Sequence, residues 1–346
     1  TSAGNVATLN RVILPVIRRV MPTVIANEIV GVQPMTGPVG QIHTLRVRYA
    51  DTNNATGSAN DVTAGDEALS PFRIGQAYSG DGTAGKAAAT AALEGSAGNR
   101  LSIQILKQTV EAKTRKLSAR WTFESAQDAQ SQHGIDVEAE IMAALAQEIT
   151  AEIDQEVIGS LNTLAGTAVE TYDQAAVSGT ATFVGDEHAA LAVQINRAAN
   201  LIAQRTRRGA GNWAVVSPFA LTILQSATTS AFARTTEGSF EAPTNTKMVG
   251  TLNNAMKVYV NTYAGDDANV LVGYKGSSES DAAAFYCPYI PLMSSGVVLD
   301  PTSFEPVVSF MTRYGYVELS NTASSLGNAA DYLANVAITN GNVSFS

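Results

Sequence analysis

The chain has 346 residues, of which 45% are hydrophobic, with 22 Lys plus Arg against 31 Asp plus Glu and a formal net charge of −9. Charged residues make up only 15%, against roughly 25% in ordinary soluble domains; the positive excess that phosphate binding needs is absent, which excludes a strongly basic nucleic-acid binder. A single Cys excludes a disulfide framework or a Cys-cluster metal site, and the longest apolar runs, such as Val12 to Ile17 around Pro15, are too short to span a bilayer.

In chain order, an amphipathic segment is expected around Asn10 to Met21. Arg18 and Arg19 follow its apolar run instead of preceding it, the reverse of a signal peptide. Gly31 to Tyr49 reads as extended, punctuated by Pro34, Gly37, Pro38 and Gly40. Residues 50–100 are poor in large apolar side chains and dense in Gly, Ala, Asn, Asp and Thr, and so read as a projecting loop. Leu101 to Phe123 alternates like strands, with Leu101, Ile103 and Ile105 on one face.

Ile135 to Leu164 lacks Pro and is rich in helix formers. Its apolar residues Ile141, Leu145, Ile149, Ile153, Val157 and Leu161 recur every fourth position. At about 3.6 residues per turn such a stripe winds around the helix, so successive turns face different partners, as in a spine crossing a sheet. A second helix is predicted from Asp186, as N-cap, to Arg207. Trp213 to Val216 reads as a buried strand, and Pro218 opens a helix through Leu224. Strand-like runs follow at Val258 to Tyr263, Val270 to Tyr274, Ala283 to Tyr286, Val307 to Thr312 and Val336 to Thr339. No internal repeat is evident. The fold class is α+β.

Charge is laid out in blocks. Arg100, Lys107, Lys113, Arg115, Lys116 and Arg120 form a basic segment, and Trp121 to Asn196 contains no Lys or Arg. Such blocks pair poorly along one helix and point to pairing between segments or between chains.

Catalytic signals fail their context tests. Gly80 to Lys86 matches G-x-G-x-x-G and most of a phosphate-binding loop, but Ala87 stands where a hydroxyl is needed and no buried strand precedes it. His43, His133 and His188 lack metal-ligand spacing. Cys287 reads as a buried small hydrophobe, and no G-x-S-x-G elbow occurs. Trp121 and Trp213 are assigned to buried segments. No cofactor, metal or catalytic residue is expected.

Several stretches carry a resemblance. Gly31-Val32-Gln33-Pro34-Met35-Thr36-Gly37-Pro38-Val39-Gly40-Gln41 resembles the GVQPM-x-x-P-x-GQ segment of the major capsid proteins of T-even-type tailed phages. Ala126-Gln127-Asp128 with His133-Gly134-Ile135-Asp136 also matches, as do Val258-Tyr259-Val260, Val272-Gly273-Tyr274-Lys275-Gly276, Tyr286-Cys287-Pro288-Tyr289 and Thr312-Arg313-Tyr314-Gly315, all in the family's order. The resemblance implies an HK97-like capsid fold, with an N-terminal arm (1–48), an extended β-hairpin loop (49–100) and a peripheral domain with a long spine helix (101–175). An axial domain (176–294) and a return to the peripheral domain (295–346) complete it. It implies a structural protein that self-assembles into hexameric capsomers of an icosahedral head, with pentamers of the same chain left open. Neighbouring capsomers, decoration, vertex and portal proteins are the implied partners, and the shell encloses double-stranded DNA without sequence-specific binding. The implied location is the virion, after assembly in the host cytoplasm. Family members are usually cleaved by a prohead protease, which accords with a chain that starts at Thr1. Lys86, the only Lys of the insertion, is expected to stay uncross-linked.

For contacts between subunits, Arg100, Lys107, Lys113, Arg115 and Lys116 are set against Glu138, Glu140, Glu148 and Glu152 as a charge-complementary group. The alternatives are an encapsulin-like compartment shell, a pentameric vertex paralogue, a nucleotide-dependent enzyme using Gly80 to Lys86, and a secreted glycan binder.

Overall fold

The computed structural model describes residues 25–53, 61–68, 78–81, 86–177, 184–226, 232–234, 248–252, 255–319 and 329–340. The expected amphipathic segment Asn10 to Met21 lies outside them. The chain begins with α1 (Ala26–Ile29), β1 (Gly31–Val32), β2 (Val39–Tyr49), α2 (Thr90–Leu93), β3 (Leu101–Glu111) and β4 (Lys113–Arg120). Then come α3 (Phe123–His133), α4 (Val137–Ala165), β5 (Glu170–Asp173), α5 (Gln174–Val177), α6 (Val184–Thr206), β6 (Trp213–Val216) and α7 (Pro218–Ser226). The remainder is β7 (Phe232–Arg234), β8 (Met248–Leu252), β9 (Met256–Val260), β10 (Val270–Gly273), β11 (Ala284–Ser294), β12 (Val298–Leu299), β13 (Pro306–Glu318), a 3-10 turn (Ala329–Tyr332) and β14 (Leu333–Thr339).

Two compact units result. The smaller holds Thr114–Ile153 and Ile290–Arg313; the larger holds the described residues of Thr23–Lys113, Asp154–Tyr289 and Tyr314–Ser346. The larger is built on a seven-stranded sheet of order β5-β14-β10-β6-β9-β8-β7. β6 and β10, at its centre, are apolar and buried at every position because both faces are covered. Alternate residues point to opposite sides: Ala214 and Val216 join Val258, Val270 and Val272 in a core that includes Leu191, Ile195 and Ile202 of α6 and Ile223 of α7. Trp213 and Val215 join Tyr259 and Leu271 in a second core with Val157, Ile158 and Leu161 of α4, Ile29 of α1 and Ile25 just before it.

The winding stripe of α4 behaves as its spacing requires. Leu145 and Ile149 pack with Trp121, Val308 and Phe310 in the smaller unit, while Val157 and Leu161 belong to the larger unit's core. The helix starts two residues later than the sequence implies, at Val137. α6 starts at Val184, so Asp186 lies inside the first turn and is not the cap; an acid there still suits the positive end of the helix.

α3 was absent from the expected elements. Its apolar stripe is short and mostly small, Phe123, Ala126 and Ala129, and none of its residues is fully buried, so periodicity marks it weakly. Its signature is at the ends instead: the Thr122 side chain accepts from the Ser125 N–H, and Gly134 closes the helix in the left-handed conformation at φ 64°.

Candidate assembly surfaces

β2 and β3 form a two-stranded antiparallel ribbon of eleven residue pairs, from Val39 opposite Glu111 to Tyr49 opposite Leu101. Side chains directly opposite in such a pair share a face. Leu45 lies opposite Ile105, and the row Leu101, Ile103, Ile105 continues it. The alternation was legible; its burial was not. Leu45, Leu101, Ile103 and Ile105 are 58–68% exposed, so among the described residues these four side chains stay largely uncovered.

The far end of the ribbon carries more structure than its composition implied. Tyr49, Val62, Ala68 and Tyr78 form a small core of their own, and the Tyr49 and Tyr78 rings meet edge to face with centroids 4.6 Å apart. Arg46, almost wholly buried, pairs with Glu67 at 2.8 Å. Arg100 pairs with Asp51 at 3.0 Å, and the Arg100 guanidinium holds the Asp51 carboxyl below its ordinary pKa. At the two ends of the phosphate-loop lookalike the Asp81 N–H donates to the Lys86 carbonyl at 2.8 Å; residues 82–85 lie outside the described set.

The near end is packed to the limit. Val110 is buried with Phe285, Cys287 and Val317, and the Gln108 side chain donates to the Glu318 carbonyl at 2.7 Å. A Cβ on Gly315 would lie 2.5 Å from one Val110 methyl, and a Cβ on Gly40 would lie 3.0 Å from the other. Cys287 is buried, and burial pushes its thiol pKa up, as suits an inert packing residue.

The segment leading into the ribbon is clasped by side chains remote in sequence. The Asp154 carboxylate accepts from the Ile25 and Ala26 N–H groups at 2.8 and 2.7 Å. Its second oxygen is buried and accepts no hydrogen bond among the described residues. Burial raises the Asp154 pKa, against the pull of the two N–H donors. Lys275 Nζ donates to the Asn27 carbonyl at 3.4 Å, and Glu279 accepts from the Val32 N–H at 2.9 Å. β1 pairs in parallel with β11, Gly31 opposite Phe285. No local pattern announces this clasp, because its side-chain partners lie up to 248 residues apart.

Of the charge-complementary group, the structure brings one pair together within the chain: Arg115 and Glu152 meet at 2.9 Å. Arg100 is engaged by Asp51 instead. Lys107, Lys113, Lys116, Glu138 and Glu148 form no ion pair among the described residues; Glu140 lies in the first turn of α4. Among the described residues no cluster of His, Cys, Asp and Glu could hold a metal ion, and no helix is long and apolar enough to cross a membrane.

Comparison with known proteins decides among the readings. The model of the major capsid protein Gp23 family matches residues 6–340. The chain belongs to the Gp23 major capsid protein family. It is 30% identical to the major capsid protein of Vibrio phage KVP40, covering 97% of this chain and 82% of that one. It is likewise 30% identical to the major capsid protein of Enterobacteria phage T4, covering 91% and 76%. Among solved structures, the capsid of Myoviridae phage XM1 aligns with a TM-score of 0.54 at 11% identity, covering 98% of this chain and 100% of that one. A structure from Microbacterium phage Oxtober96 aligns with a TM-score of 0.54 at 13% identity and 96% coverage of both. The fold is therefore the HK97-like capsid fold. Family membership makes the chain a structural capsid protein of a tailed phage and not an enzyme, located in the virion. Nothing supports the compartment, vertex, nucleotide or glycan-binding alternatives.

Proposed function

We propose that this Gp23-family chain is the subunit of hexameric capsomers in an icosahedral head that encloses double-stranded DNA, with the β2–β3 ribbon laid over a neighbouring subunit. The observation that carries this reading is the uncovered face of Leu45, Leu101, Ile103 and Ile105. Burying a Leu or Ile side chain contributes about 1.5–3 kcal/mol, so covering this face adds on the order of 5 kcal/mol per subunit contact. The low charge of the chain fits a surface that is largely contact. In this reading residues 1–48 act as an arm, 49–100 as the extended loop, 101–175 and 295–346 as the peripheral domain, and 176–294 as the axial domain. Decoration, vertex and portal proteins are its partners in the head, and assembly takes place in the host cytoplasm. Net negative charge suits a wall along which packaged DNA slides without sticking.

The charge-complementary group refines the proposal. Lys107, Lys113 and Lys116 face the acids Glu138, Glu140 and Glu148 of a neighbouring subunit, where complementary charge selects partner and register more than it adds affinity. Arg100, Arg115 and Glu152 contribute through the field they set, being paired at home.

The test is electron microscopy of expressed protein carrying Ile103→Asp with Ile105→Asp. Exposed substitutions leave subunit stability within about 0.5 kcal/mol, so the variant folds but yields no particles. Normal particles from it would refute the ribbon's role.

A further inference from the structure

Asn340 is the only Asn of the chain that is followed by Gly. It stands exposed just past β14, where the ladder to β5 ends with Thr339 opposite Asp173. Its φ is 49°, a left-handed conformation that Asn accepts because its short side chain bonds locally.

That side chain fastens the edge of the seven-stranded sheet. β5 lies at the end of the strand order, next to β14 alone. Its middle is held by Tyr172, which is fully buried and whose carbonyl accepts from the Thr339 hydroxyl at 3.2 Å. Its end is held through Asp173. One oxygen of that carboxylate accepts from Asn340 Nδ2 at 3.2 Å and from the Ala175 N–H at 3.1 Å, so it joins the end of β14 to the start of α5. A single exposed hydrogen bond is worth little net against water, and it does not keep the Asn340 side chain from turning toward the peptide that follows.

The geometry points to Asn340 as a site of spontaneous deamidation, a modification that unfastens the end of β5. The backbone nitrogen of Gly341, with no side chain beside it to hinder approach, attacks Asn340 Cγ. A new C–N bond closes a succinimide ring, and the Cγ–Nδ2 bond breaks. The amide leaves as ammonia, carrying the proton that the Gly341 nitrogen gives up. Water then adds to either ring carbonyl and opens the ring to aspartate or its β-linked isomer. One water is consumed and one ammonia released, with no oxidant, reductant or partner chain. The product replaces a donor by a carboxylate directly beside Asp173, and like charges set opposite each other at the edge of a sheet repel. Asn335 supplies the contrast within the same strand. It is buried, its amide donates to the Asn162 and Gly166 carbonyls at 3.4 and 3.1 Å, and branched Val336 follows it, so it stays intact.

The full-length chain is incubated at mildly alkaline pH in heavy-oxygen water and mapped by peptide mass spectrometry. Heavy oxygen enters at position 340 at least tenfold faster than at position 335, and Gly341→Val slows it at least tenfold. An Asn340 that keeps its amide while a free synthetic peptide of the same sequence converts would overturn the site, as would a rate indifferent to Gly341→Val. For the consequence, hydrogen exchange is measured on the Asn340→Asp chain. Amides of residues 170–177 exchange several-fold faster than in the unaltered chain. Adding Asp173→Asn restores the slow rate, because the new Asn donates to the carboxylate at 340 while its oxygen still accepts from the Ala175 N–H. Unchanged exchange in Asn340→Asp, or no restoration in the double variant, would overturn the unfastening.

Discussion

Replacing Gly315 by Ala is expected to destabilise the root of the β2–β3 ribbon through one contact. The added Cβ would stand 2.5 Å from Val110 Cγ2, about 1 Å inside the ordinary separation of roughly 3.5–4.0 Å between carbons. Val110 has little room to yield, because its χ1 is restricted by branching and its other methyl already faces Gly40. The Glu111 carbonyl and Met35 Cε, each 3.2 Å from the new atom, are tight but tolerable, the latter on a flexible chain. Gly315 has no left-handed φ, so the substitution tests space alone. Overpacking of this kind costs about 1–3 kcal/mol, or about 1–2 °C of melting temperature per kcal/mol for a chain of 346 residues at about 2.1 cal/mol/K of unfolding entropy per residue. The assay is urea unfolding of the soluble subunit in a double-mutant cycle with Val110→Ala. Removing the two methyls makes room, so Gly315→Ala becomes nearly neutral in that background, giving a coupling of about 1–3 kcal/mol. An equal cost in both backgrounds, or none in either, would show that the ribbon root is not set by this wedge.

Other outcomes follow from the same contacts. Asp154 has its pKa raised, chiefly by burial, above the roughly 3.9 of an unfolded Asp; its stabilising contribution is complete below about pH 4 and is lost as pH rises through the raised value. Asp154→Asn lacks that loss, so the variant gains on the unaltered chain as pH goes from 4 to 8; parallel urea midpoints across the range would contradict it. The Arg115–Glu152 pair, partly exposed on both sides, has a coupling of about 0.2–1 kcal/mol in a double-mutant cycle, and a value above 2 kcal/mol would mean a drier setting than the structure shows. Reversing both Lys113 and Arg115 to Glu impairs assembly, and electron microscopy showing normal particles would remove the charge group from the assembly account. Denaturing electrophoresis of particles gives a monomer-sized band, because Lys86 is not cross-linked; a ladder would contradict this.

How much the sequence disclosed depended on how local the physics was. Trp213 to Val216 and the helix opening at Pro218 matched the structure because burial on both faces and a proline at the first turn leave marks within a few residues. The stripe of α4 was legible for the same reason, down to its division between two cores. The clasp of Asp154 on Ile25 and Ala26 was not, since two amides and a carboxylate 128 residues away share no periodicity. The row Leu101, Ile103, Ile105 revealed a strand but not which face meets water, because alternation reads the same whether the apolar side meets its own chain or another.

The two exposed surfaces share a construction. Each is a β-hairpin carrying large apolar side chains outward, Leu45 with Ile103 and Ile105 on one and Val298 with Leu299 and Phe304 on the other, and each is stiffened from within. The first has a small core and buried Arg46 at its far end; the second has a turn closed by its own backbone. Stiffness matters because ordering a loop on contact consumes binding energy that a preformed surface keeps. The seven-stranded sheet has no such need, and its apolar side chains are spent within the chain. A chain with 45% hydrophobic residues and 15% charged ones therefore divides its apolar content between folding and association, and Ile103→Asp with Ile105→Asp separates the two: it abolishes particles while leaving the subunit's melting in place.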